Sequence, residues 1–123
     1  MKIRNLTPHP ITLANNGKSI TVAPEPVPAR CAQIDEVVGE VALTDSTYTD
    51  FSVPIVRSTY GEITGLPEPQ EGVIYVTSLL VAQAAAVQER TDVFAVGRPI
   101  RDAQGRIVAA GALTAIAPDR RER

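Results

Sequence analysis

The chain has one cysteine, one histidine and no surplus of positive charge, and each shortage removes a class of function. Cys31 by itself cannot close an internal disulfide, and a lone His9 leaves no Cys/His cluster at the spacing a zinc site requires. Twelve basic residues against fourteen acidic ones give a net charge of -2, with an isoelectric point near 5.3. Such a field does not favour long nucleic acid through counterion release, so no long nucleic acid partner is expected. Apolar runs are also short. Those around Val73 to Val76 and Leu79 to Ala82 fall well below the roughly 20 residues that span a bilayer, and no membrane association is expected. A charged start followed by a long apolar stretch, the mark of a secretory leader, is missing, so a cytoplasmic location is expected. Glycine-rich phosphate loops and the Gly-x-Ser-x-Gly elbow are missing as well. The residues therefore point to no metal, no cofactor and no catalytic set.

What is there is a normal globular mixture: 44% hydrophobic and 21% charged residues over 123 positions. That length supports one hydrophobic core, and a single domain over residues 1–123 is expected.

Local signals then favour strands. Lys2 to Leu6 reads as a strand, followed by the turn Thr7-Pro8-His9-Pro10, where each proline forces the residue before it into extended backbone. Asn15-Asn16-Gly17-Lys18, set between Ile11 to Ala14 and Ser19 to Val22, is a hairpin signal because Asn and Gly tolerate the positive φ of a tight turn. Arg30 to Ile34 and Val53 to Tyr60 read as further strands. Between them, Thr44 to Ser52 reads as a loop whose aromatics, Tyr48 and Phe51, fold back onto the body. Gly61 to Gly72 should be irregular and Val73 to Val76 a buried strand. Thr77-Ser78 then caps a helix from about Leu79 to Gln88, with Leu80, Ala84 and Val87 at helical spacing. Beyond it, Asp92 to Val96 and Arg98 to Arg101 read as short strands, and Asp102 to Gly105 as a turn into Arg106 to Ile116; the tail Asp119 to Arg123 should be frayed. The expected class is α+β: a mostly antiparallel β-sheet or small barrel-like domain with one main α-helix at about 79–88.

Several residues are candidates for binding. Asn5, Thr7 and His9 share the proline-framed turn, either touching a ligand or bonding the turn's own backbone. A helix beginning at Thr77 and Ser78 exposes amide donors that favour phosphate or carboxylate, unless those side chains simply cap it. Arg90 and Arg101 have the guanidinium fork that suits phosphate, Asp92 has a carboxylate that suits ribose hydroxyls, and surface ion pairing is the competing use of all three. Arg57, Arg98 and Arg106 enlarge the cationic pool. Tyr60 and Tyr75 offer rings that stack on a base or pack in a core. Cys31 with His9 would suffice for nucleophilic catalysis if the two met in space, but a lone Cys on a strand reads as a small buried hydrophobe.

Asn5-Leu6-Thr7-Pro8-His9 opens a series of segments that resembles small bacteriophage, prophage and actinobacterial proteins. The series continues through Thr59-Tyr60-Gly61, Gly65-Leu66-Pro67-Glu68-Pro69, Tyr75-Val76-Thr77-Ser78 with Val81-Ala82, Arg90-Thr91-Asp92-Val93 and Arg101 to Val108. That family has no common established activity, so the resemblance implies a phage-type origin and a set of positions, not a reaction. Together with the missing catalytic motifs, it implies a binding protein that sequesters a small anionic ligand, a nucleotide such as an immune second messenger, in an anti-defence role without turnover. Arg90 or Arg101 would hold phosphate, Thr77 and Ser78 would add donors, and Tyr60 or His9 would touch base or ribose. Homo-oligomerisation is expected, because a small β domain has exposed edges to cover. Two rivals stand beside this reading: an enzyme acting on such a nucleotide through His9 or Asp92, and a protein-interaction or assembly module.

Overall fold

The computed structural model describes residues 1–44, 47 and 50–116. Tyr48 and the tail Asp119 to Arg123 lie outside the described residues. Among the described residues, eight strands and one helix follow in chain order: β1 (Lys2–Asn5), β2 (Ile11–Asn15), β3 (Lys18–Val22), β4 (Arg30–Leu43), β5 (Phe51–Thr64), β6 (Val73–Val76), α1 (Leu79–Val87), β7 (Val93–Arg101) and β8 (Ile107–Ala115). The chain divides into two compact units, one made of residues 1–31 with the chain from Ile63 onward, the other of Ala32–Glu62.

The first unit is a six-stranded sheet in the order β1-β6-β7-β8-β2-β3. The α+β class holds, with a nearly closed, barrel-like sheet, and its strands are mixed in direction. β2 and β3 form the antiparallel hairpin that Asn-Gly predicts, Asn16 and Gly17 taking φ of 53° and 77°. β7 and β8 are also antiparallel, joined by a turn in which Asp102 Oδ1 accepts from the amides of Gln104 and Arg106. β6 and β7 instead run parallel because α1 carries the chain between them, and β1 is parallel to β6. Turn chemistry reveals hairpins; crossovers leave no such mark.

Closure comes at the two ends of the sheet order. The Glu25 amide donates to Asn5 O at 2.8 Å, and Asn5 bridges Pro24, so the end of β1 meets the chain leaving β3. Inside, Leu6, Tyr75, Val81, Ala82, Ala85 and Val93 pack in one core. Burial of each larger apolar side chain is worth about 1.5–3 kcal/mol, and the alanines let the helix backbone approach the sheet.

α1 begins at Ser78, whose Oγ accepts from the Val81 amide at 3.3 Å. It ends with Glu89 at φ 63°, while the Glu89 and Arg90 amides donate to Ala86 O and Ala85 O. The helix buries Val81, Ala82, Ala84, Ala85 and Ala86 and leaves Val87 70% exposed. The expected stripe through Leu80, Ala84 and Val87 is thus rotated, because the sheet takes the face with the smallest side chains. Likewise the two short strands expected over Asp92 to Val96 and Arg98 to Arg101 are one strand, β7, with Arg98 in the left-handed region at φ 50°.

The second unit is a two-stranded sheet of β4 and β5, each 14 residues long. Ala32 faces Gly61, and Ser58 Oγ donates to Asp35 Oδ1 at 2.6 Å, so the strands are antiparallel. Gln33 Nε2 donates to the same carboxylate and to Ser58 Oγ. These bonds, Ser58's first, hold the Asp35 carboxyl below the usual carboxylate range. Phe51, expected to fold back from a loop, instead opens β5 and is exposed. Both strands run well past their expected ends because cross-strand pairing, invisible in sequence, extends β4 through Glu36, Gly39 and Glu40 and carries β5 on to Thr64, into the stretch from Gly61 expected to be irregular.

Candidate functional site

The proline-framed turn gathers Asn5, Thr7 and His9, and its hydrogen bonds are internal. Asn5 is fully buried; its Nδ2 donates to His9 O at 2.8 Å and Val22 O at 3.0 Å. Asn5 Oδ1 accepts from the Thr7 amide at 2.9 Å and from Thr7 Oγ1 at 2.6 Å. Thr7 Oγ1 also lies 2.9 Å from His9 O. Every polar atom of the Asn5 side chain is therefore used in the fold. The His9 residue is exposed.

At the helix start, Thr77 is buried and its Oγ1 donates to Ser78 O at 2.9 Å, while Ser78 Oγ serves as the cap. These hydroxyls meet the helix's own backbone first.

Arg90 and Asp92 come together as a fork. Nε donates to Oδ1 at 2.9 Å and the terminal Nη2 to Oδ2 at 3.0 Å, and Nη2 also donates to Pro67 O at 3.0 Å. Both side chains are largely buried, 15% and 16% exposed. The hydrogen bonds hold the Asp92 carboxyl below its usual range and raise Arg90 further above neutrality. The pair locks the loop before β6 to the strand after α1, next to Tyr75, whose hydroxyl donates to Glu68 O. Arg101 Nη1 donates to Gly105 O at 2.8 Å across the β7–β8 turn, and Arg106 pairs with Asp102. Tyr60 lies on β5 of the hairpin unit.

A different set of residues forms an open cleft. Lys18 and Arg98 line a recess of about 490 Å³ over β2, β3 and β8, together with Asn15, Ser19, Ile20 and Leu113. Neither cation has an ion pair or side-chain hydrogen bond among the described residues. Lys18 is where it is because the two-residue Asn16-Gly17 turn sets it opposite Asn15. Arg98 is held in a conformation that costs an L-residue about 1–2 kcal/mol. Its neighbours permit it: Gly111 has no side chain, and a Cβ there would lie 3.5 Å from the Arg98 Cβ. Strain of this kind persists only where surrounding structure imposes it.

Alongside lies an apolar recess of about 410 Å³, lined by Ile11, Val96, Pro99, Ile107 and Val108. The two share Ala110, the residue through which β2 and β8 pair at Leu13. Both volumes fall in the range of roughly 300–1,000 Å³ usual for small-molecule sites. An anion with an apolar body matches the combined chemistry: charge beside Lys18 and Arg98, flat surface against Val96 and Ile107. Among the described residues lining the cationic recess there is no carboxylate, imidazole or thiol.

In the sequence, Arg98 stands out only as one of a pool of arginines and Lys18 only as part of a turn. The triplet Gly97-Arg98-Pro99 is the available signal, since such a triplet breaks regular strand geometry; by local pattern only Gly97 falls between strands, with Arg98 and Pro99 inside the second. Among the described residues, no group of three or more His, Cys, Asp or Glu is arranged to hold a metal ion. No described helix is long and apolar enough to cross a membrane. Comparison with protein-family models, with curated proteins and with solved structures finds no match for this chain.

Proposed function

We propose that this protein binds a small anionic ligand, a nucleotide in the reading we favour, and holds it without turnover. The observation that supports this is the pair of unpartnered cations, Lys18 and Arg98, on a cleft that shares the lining residue Ala110 with an apolar recess. Phosphate would sit with the two cations and the base against Val96, Pro99 and Ile107. The lining supports holding over chemistry, because its titratable groups among the described residues are cationic and a hydrolase needs a general base. In this reading Arg90 and Asp92 stiffen the frame, and the phosphate contact passes from Arg90 to Arg98. The phage-type resemblance and the cytoplasmic setting belong to the same proposal: a sponge for a nucleotide signal inside a bacterial host.

The test is to incubate the purified chain with linear and cyclic nucleotides, follow thermal stability, then release any bound ligand by heat and identify it by mass. A ligand that binds only the folded state raises its stability. The stabilisation should disappear in a Lys18→Ala, Arg98→Ala double variant. Recovery of an altered nucleotide would replace this reading with an enzymatic one. Stabilisation of the double variant equal to wild type would remove the cleft from the account.

A further inference from the structure

The two recesses over β2 and β8 are built from opposite chemistries. Nine of the ten residues lining the apolar one have hydrocarbon side chains or, at Gly97, none. The tenth, Thr12, holds the one side-chain hydrogen-bonding group in that wall, and its hydroxyl lies 3.0 Å from Thr21 Oγ1, already bonded. Backbone adds little, since Pro10 and Pro99 have no amide N–H and the β7–β8 ladder pairs Gly97 with Ala112 and Pro99 with Ala110. Telling one nucleobase from another takes donors and acceptors set against its edge. This wall offers aliphatic surface instead, with Val96 and Ile107 open to contact. In the other recess Lys18 and Arg98 stand together, and the described residues lining it include no acid to neutralise them.

Resting on the nucleotide reading above, we propose that the site selects its ligand by phosphate charge and accepts any nucleobase. The ligand class is a nucleotide bearing two or more phosphate charges, purine or pyrimidine alike. A hydrocarbon pocket separates ligands by size and shape, worth about 10–200-fold, whereas a site that hydrogen-bonds its substrate rejects a mismatched one by about 10⁴–10⁵-fold. Adenine and guanine fill nearly the same space, so here even the smaller factor is scarcely available between them. Charge is different. The Arg98 guanidinium can take two phosphate oxygens as a fork and the Lys18 ammonium acts as a second point charge, so a single negative charge leaves one cation unmatched and a diphosphate engages both. What marks out a particular ligand is then the number and spacing of its phosphates, not its base.

Calorimetric titration of the full wild-type chain, at one fixed salt concentration, tests this with the diphosphates of adenosine, guanosine, cytidine and uridine, and with adenosine monophosphate and adenosine. The four diphosphates should bind with affinities inside about a hundredfold of one another, the span a hydrocarbon pocket can impose. Removing one phosphate from the adenosine series should weaken binding more than any exchange of base, and adenosine itself should bind weakest. A preference above about a hundredfold for one base overturns the proposal and leaves the nucleotide reading standing. So does a series in which changing the base matters more than removing a phosphate. Absence of binding by all four diphosphates removes the nucleotide reading itself, and this proposal with it.

Discussion

Asn5 Nδ2 donates to the carbonyl of Val22 at 3.0 Å across 17 residues of chain, joining the last residue of β1 to the last residue of β3. These strands stand at opposite ends of the sheet order, so one amide side chain helps turn an open sheet into a nearly closed barrel. The same group accepts from Thr7 and donates to His9 O, which ties closure to the shape of the proline turn.

Replacing Asn5 with Ala should therefore cost stability out of proportion to its size. The Val22 carbonyl and the Thr7 amide lose their partner in a part-buried place, where each unsatisfied group costs about 1–3 kcal/mol, while Thr7 Oγ1 and His9 O retain each other. A total of about 3 kcal/mol or more is expected in urea unfolding. A loss below about 1 kcal/mol would show that water replaces the side chain there.

Asp92 should make stability depend on acid. Its folded pKa is depressed by the Arg90 hydrogen bonds, while the unfolded carboxyl titrates near 3.9, so on acidification the unfolded chain takes up the proton first. The contribution is complete above about pH 4 and is lost as pH falls further, through the depressed folded value. An Asp92→Asn variant should be less stable than wild type at neutral pH, and the gap should narrow below about pH 4. Unfolding followed at several pH values checks this; a gap that stays constant would mean the pair contributes no charge interaction.

Arg98→Gly separates stability from binding. Glycine relieves the positive φ of 50°, worth about 1–2 kcal/mol, against about 0.5–1 kcal/mol of added unfolded-state freedom. Stability should hold or rise, while affinity for an anionic ligand should fall, and the wild-type affinity should weaken with salt because both cations are exposed. Calorimetric titration at low and high ionic strength reads both effects.

Gly65 is the glycine with the least freedom to change. It sits at φ 80°, and an added Cβ would lie 2.6 Å from Pro28 O, a backbone atom that cannot swing away. Gly65→Ala should destabilise by about 2 kcal/mol or more through left-handed strain plus that clash. Gly72→Ala has a similar φ of 78° with no neighbour within 4 Å, and should cost only the conformational part, about 1–2 kcal/mol. Parallel thermal melts compare the two.

Local chemistry was legible in these residues wherever it needs only near neighbours. The Asn16-Gly17 hairpin, the Ser78 cap, the buried strand Val73 to Val76 and the Asp102 to Gly105 turn follow from backbone preferences within a few positions. Glu36, Gly39 and Glu40, poor strand formers by themselves, became strand because β5 supplied the partner. The candidate site shows the same division. Arginines near element ends were visible as donors, but which of them stays unpaired depends on neighbours brought from afar: Pro67 O and Asp92 occupy Arg90, and nothing described occupies Arg98.

By itself, then, the sequence determined a β-rich domain with one alanine-rich helix, its tight turns and its stock of cations, because these rest on φ preferences, capping and composition. Only the tertiary structure decided strand order, barrel closure through Asn5, the length of the hairpin unit and the pairing of Lys18 with Arg98 on one cleft. Those rest on contacts between residues far apart in the chain, and such contacts have no local signature.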